Sequence, residues 1–134
     1  MSNVILIACC LWGGWVAFNL LMVALAATVL PVRQAHFDGF RARLPASLPE
    51  LLTPAQVAAV VAHEHGHRHH MHVWSNLALR CLFLTPGARR RRRQELEADD
   101  YATARGHGLE LAAALRKLSN HPDDLSRADR LLRM

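Results

Sequence analysis

The first thing missing is charge in the opening stretch of the chain. From Val4 to Val32 no Asp, Glu, Lys or Arg occurs, about 29 residues, where roughly 20 apolar residues suffice to span a bilayer. Asn3 and Asn19 are the main polar interruptions, and Trp12 and Trp15 fall inside the run. No basic stretch precedes it, as a secretory signal peptide would require. Ala24-Leu25-Ala26 does resemble a cleavage site, but the run is long for a signal peptide's apolar core. A retained anchor is therefore preferred, with a cleaved leader as the alternative. Cysteine is scarce too. Cys9 and Cys10 lie in the apolar run and Cys81 in another apolar stretch. That is poor disulfide material, and it fits a reducing compartment. There is no internal repeat, no low-complexity tract beyond a run of arginines, and no nucleic-acid-binding motif.

What is present starts with size and sign. The 134 residues are 51% hydrophobic, with much of that in the first thirty, and carry a net charge of +5 with pI near 10.1. A basic balance can mean nucleic acid. Beside an apolar segment and without a motif, anionic lipid head groups are the better match. Arg33, Arg41 and Arg43 follow the segment closely. The positive-inside rule then places the C-terminal part in the cytoplasm. The expected division is a single-pass transmembrane anchor over 1–32 and one domain over 33–134.

The connector from Arg33 to Glu50 holds Phe37-Asp38-Gly39-Phe40-Arg41-Ala42-Arg43-Leu44. Its weak alternation and turn glycine allow one or two short strands. These could pair with an extended peptide, or the stretch could be an irregular linker. Pro45 and Pro49 then break the chain.

Beyond lies Leu52-Thr53-Pro54, then Ala62-His63-Glu64-His65-Gly66-His67. Thr53 is a good N-cap, Pro54 suits a first turn, and Gln56 completes a capping box. Val57, Val60 and Val61 give that helix a buried side, and it is expected to run from Pro54 to about Met71. His63 and His67 are four apart on one face, so both can aim at one metal ion. Glu64 follows the first of them, where it can take a proton from a bound water. His65 and His69 are also four apart, but Gly66 follows His65 and leaves that pair without an adjacent base. Arg68, His69, His70 and His72 read as solvated or near lipid head groups, unless one assists the site.

Val73–Leu84 is apolar, contains Arg80, and is too short to cross a bilayer. It reads as a helix packed on the histidine helix, dipping into the membrane interface. Thr85-Pro86-Gly87 ends it. Arg89 to Arg93 form an unbroken basic run, by default a solvated or lipid-facing helix start. Then comes Glu95-Leu96-Glu97-Ala98-Asp99. Glu95 and Asp99 share a helix face, while Glu97 points roughly 200° away from Glu95. Two histidines on zinc want a third protein ligand, often a carboxylate, and Glu95 can serve. Asp99 can hold a ligand imidazole by its other nitrogen. The plainer alternative is a surface helix with ordinary acidic residues. Gly106 and Gly108 end that helix. Leu109–Leu118 begins another, His121-Pro122 breaks it, and Ser126–Met134 reads as a last short helix.

The two motif stretches together resemble the gluzincin zinc metallopeptidases. The nearest likeness is to integral-membrane families: the HtpX heat-shock proteases, the prenyl-protein CAAX proteases and the membrane antibiotic-sensor peptidases. Phe37 to Pro45 resembles their rim strand, and His121-Pro122 with Ser126-Arg127-Ala128 resembles a C-terminal H-P…R pattern. The resemblance covers roughly residues 35 to 130. It implies a mainly α fold with a small rim sheet (α+β), a minimal zincin-like catalytic domain behind a transmembrane helix. It implies Zn²⁺ on His63, His67 and Glu95, with Glu64 as general base and Asp99 in support. Full members carry several transmembrane segments, whereas this chain has one anchor and only about 27 residues between His67 and Glu95. A minimal unit of this kind leaves room for an oligomer or a partner protein to complete a substrate chamber.

The expected chemistry is peptide-bond hydrolysis by a metal-activated water, with a polypeptide substrate and no nucleic acid. Membrane proteins are the substrates that family analogy suggests. The developing oxyanion needs a second electrophile, for which Tyr101, His107 and the histidines after His67 are candidates. Two rivals stand beside this reading. One is a catalytically silent or partner-dependent zinc-binding regulator. The other is a histidine-rich metal buffer, given six histidines between His63 and His72.

Overall fold

The computed structural model describes residues 2–28, 35–38 and 41–134. Arg33, on which part of the charge argument rests, and Gly39 and Phe40 of the connector lie outside the described residues.

The described chain is mainly helical. Helix α1 (Ser2–Thr28) is the apolar run, and it is long and apolar enough to cross a membrane. Most of its large side chains are exposed, Val4 at 72% and Leu11 at 71% among them. The connector forms two strands of two residues each, β1 (His36–Phe37) and β2 (Ala42–Arg43). They pair antiparallel, with His36 opposite Arg43. Where Pro45 and Pro49 were read only as chain breaks, the connector also holds a short helix, α2 (Leu48–Leu51). Pro49 sits in its first turn, where no backbone N–H is needed.

Helix α3 (Pro54–His69) begins on the expected capping box: Gln56 N donates to Thr53 Oγ1 at 3.3 Å, and Thr53 N donates to Gln56 Oε1 at 3.2 Å. It stops two residues early because Met71 adopts the left-handed conformation, φ 55°. That reversal starts α4 (His72–Cys81) at once. Helix α4 packs on α3 as expected, and also on α1. Helix α5 (Ala88–Thr103) ends before Gly106, whose φ of 82° makes the turn into α6 (Gly108–Leu118). The last helix corrects the expected boundaries. Helix α7 runs Pro122–Leu131, not Ser126–Met134. His121-Pro122 starts it: the His121 side chain accepts from Asp123 N, and Pro122 fills the first helical position, where proline's fixed φ is an asset.

The core lies where α3 meets α5 and α6, with α7 behind. Much of it is alanine: Ala59, Ala62, Ala98, Ala102, Ala112, Ala114 and Ala128 are buried, with Leu48, Leu52, Leu111 and Leu131 around them. Small side chains let helix axes approach closely. At Gly66 the approach is closest: a Cβ there would lie 2.7 Å from the Ala98 Cα. No side chain but hydrogen fits, and so α5 lies directly against the histidine face of α3.

Candidate metal centre

Contact at Gly66–Ala98 has a chemical result. Gly66 is flanked on α3 by His63 and His67, and Ala98 on α5 by Glu95 and Asp99. Bringing the two backbones together brings these side chains together. The ligand atoms of His63, His67 and Glu95 all lie within 4.8 Å of one another. His63 Nε2 is 3.2 Å from His67 Nε2. Glu95 Oε2 is 3.4 Å from His63 Nε2, and its Oε1 is 3.6 Å from His67 Nε2. Donors about 2.0–2.1 Å from a tetrahedral zinc ion stand roughly 3.3 Å apart, so the three fit one small cation. Two imidazoles and one carboxylate also suit such an ion.

Each donor is held from behind. Asp99, fully buried, places Oδ1 2.9 Å from His63 Nδ1. The contact is close but not aligned as an ideal hydrogen bond. Asp99 in turn receives two bonds from Arg127, Nε to Oδ2 at 2.9 Å and Nη2 to Oδ1 at 2.8 Å. Arg127 Nη1 also reaches Glu95 Oε2 at 3.1 Å. On the other flank His67 Nδ1 lies 2.8 Å from His72 Nδ1, and His72 Nε2 lies 2.9 Å from Glu97 Oε2. Glu97 does point away from Glu95 around its helix. It still serves the group, through His72, because α4 turns back across α3.

The charges follow from this packing. Burial works against a proton on His63, but Asp99 and Glu95 outweigh it and raise its pKa to about 9. Burial and the neighbouring His63 charge lower His67 to about 4, so it is neutral at pH 7. Burial also lowers His72, against the pull of Glu97. Glu95 and Asp99 are both held below the usual carboxylate range: His63 and Arg127 overcome the burial that would raise them. Arg127 is raised, its cation favoured by Asp99 and Glu95 over the cost of burial. A pair buried like this is costly unless its charges are matched and hydrogen-bonded.

The group opens onto a cleft of about 730 Å³, within the usual range of ligand sites. Glu64, only 5% exposed, lines the cleft with the three donors and lies close enough to favour charge on His63. Strand residue His36 and Arg91 of α5 lie on its border. Tyr101 and His107 do not line it. Tyr101 sits under the Arg105 guanidinium, 3.3 Å from its ring centre, and His107 precedes α6. His65, His69 and His70 are exposed and stay outside the group.

Sequence reasoning missed three supporting residues as parts of the site. Arg127 entered only through a resembling pattern, His72 only among histidines that assist, and Glu97 was set aside by its angle. Two buried polar residues far apart in sequence give no local signal for their pairing. Gly66 was read only as leaving His65 without an adjacent base; a glycine inside a helix is the signal that could have marked the close approach. No protein-family model matches the chain, and neither does any curated protein or solved structure.

Proposed function

We propose that the chain is a membrane-anchored, zinc-dependent endopeptidase whose α1 holds the remaining helices at the cytoplasmic face. The observation that carries this reading is the convergence of His63, His67 and Glu95 within 4.8 Å, with the buried Glu64 in the same cleft. His63, His67 and Glu95 would hold the ion. Zn²⁺ bound there supplies a polarised scissile carbonyl and an acidified water. Glu64 accepts the water proton and passes it to the leaving amine. Asp99 and Arg127 keep the His63 ring turned with Nε2 toward the cleft. β1 borders the cleft, which favours an extended peptide laid beside it.

The test is Glu64→Gln. The purified variant should keep zinc, by elemental analysis, and lose cleavage by at least about 100-fold, the usual worth of a positioned general base. A proteomic comparison of both forms in membrane extracts supplies the substrates. A zinc-loaded Glu64→Gln chain that still cleaves would sink the mechanism.

A second reading has its own observation. Arg127 Nη1 sits 3.1 Å from Glu95 Oε2, a cation competing for the third donor. That favours a zinc-binding regulator that holds the ion but cleaves nothing on its own. It predicts one tight zinc per chain and no peptide difference between wild type and Glu64→Gln.

A further inference from the structure

Residues 3 to 11 of α1 are exposed on every side. The covered stripe begins at Trp15 and continues through Val16, Asn19 and Val23, against α4. The clear part is roughly 14 Å of helix at 1.5 Å per residue, about half of the ~30 Å hydrocarbon layer. If α1 crosses a bilayer, the end of α4 must enter the lipid beside it. The end of α4 is built for that. Leu82, Phe83 and Leu84 are consecutive and exposed at 58%, 64% and 53%. Phe83 adopts φ 60° and its ring stacks on Trp15, centres 5.2 Å apart.

The last carbonyls of α4 are also provided for. Trp15 Nε1 donates to Arg80 O at 2.6 Å and Trp12 Nε1 to Cys81 O at 2.9 Å. Arg80 O also accepts from Phe83 N at 3.0 Å, and Trp12 serves Cys81 O at the helix end, where carbonyls lose their helical partners; water would serve such a group at a wet surface, whereas hydrocarbon would not. Arg80 carries a charge at this level, and its long stem lets the guanidinium reach toward the head groups. The chain then runs out through Thr85-Pro86-Gly87 to exposed Arg89, Arg91, Arg92 and Arg93. Their carboxylate contacts, Arg92 with Asp123 and Arg93 with the half-buried Glu97, are both 3.5 Å long, with the arginine side chains exposed. Such pairs hold little energy and yield to other anions.

We infer that the turn Leu82–Leu84 is a second lipid-inserted element beside α1, with the exposed arginines of α5 resting on anionic head groups. This rests on α1 being a membrane helix. It carries a consequence for the proposed peptidase. Glu95 lies one helical turn beyond Arg91, which borders the same cleft. The metal group is thereby held just outside the head-group layer, and its substrates are the segments of membrane proteins that emerge from the bilayer.

The experiment uses the full chain in phosphatidylcholine vesicles with and without phosphatidylglycerol. Cys9, Cys10 and Cys81 are replaced by alanine, and an environment-sensitive fluorophore is placed through Phe83→Cys or, as control, Leu109→Cys on α6. The label at 83 should be quenched by nitroxides on lipid acyl chains and shielded from iodide, more so with phosphatidylglycerol. The label at 109 should show the reverse. Iodide access at 83 equal to that at 109 overturns the inference, and so does shielding from both quenchers, which means a protein partner covers the turn. Alkaline extraction reports on α1 separately. Release of the chain removes the anchor and the inserted turn together. A retained chain with an open position 83 removes the turn alone.

Discussion

Glu95 is the donor that sequence proximity does not supply, and it carries the sharpest test at the residue scale. Glu95→Ala should lower the zinc content of the purified chain, because two imidazoles alone hold the ion weakly. Unchanged elemental analysis would move the third ligand elsewhere. His72 acts one step further back, on the Nδ1 of His67. His72→Ala should weaken zinc affinity by about 10–100-fold, the usual loss when such a partner is removed. A competition titration against a chelator checks it, and affinity equal to wild type would show that the His67 ring needs no support. Asp99 is different in kind. Asp99→Ala removes the two-bond partner of the buried Arg127 and leaves it only the Nη1 contacts with Glu95 and Asp124; the cost should fall toward the lower end of about 3–5 kcal/mol, read as a shift in denaturant midpoint in detergent.

Among the elements, the pairing of α3 with α5 decides whether the site exists. Gly66→Ala would set a methyl group 2.7 Å from Ala98 Cα, against backbone that cannot swing aside. The helices must separate by a few tenths of an ångström or more. An overpacked interface costs about 1–3 kcal/mol, and Glu95 is carried away from the histidines with it. Both stability and zinc retention should fall, though residue 66 is no ligand. Full zinc retention in a folded Gly66→Ala chain would mean the approach is looser than the geometry states.

For the whole molecule, pH acts on the metal-free chain through opposed histidines. His63, raised to about 9, adds stability that is complete below its ordinary value near 6.5 and lost as pH rises through about 9. His67, lowered to about 4, does the reverse: its neutral form is favoured, so stability falls as pH drops from about 6.5 toward 4. Glu95 and Asp99, both held low, add to the acid-side loss. After chelation the melting temperature should peak near pH 6.5 and decline on both sides. A flat profile from pH 6 to 9 would show that His63 is not held charged.

The sequence by itself determined what is local or periodic. The uncharged run specified α1, the Thr53–Gln56 pair started α3, and the four-residue spacing put His63 and His67 on one face. Each is a property of one segment and its hydrogen bonds. Boundaries slipped where a residue serves two roles. Pro122 reads as a breaker yet begins α7, and Met71 gives no sign of its left-handed turn. Only the tertiary structure decided which carboxylates meet the histidines, that Arg127 anchors Asp99 from the last helix, and that Glu97 acts through His72. It also decided how far α1 stands clear of α4. Those pairings depend on how close the alanine-lined faces can pack, which is a matter of many contacts summed across the core and is written in no single stretch.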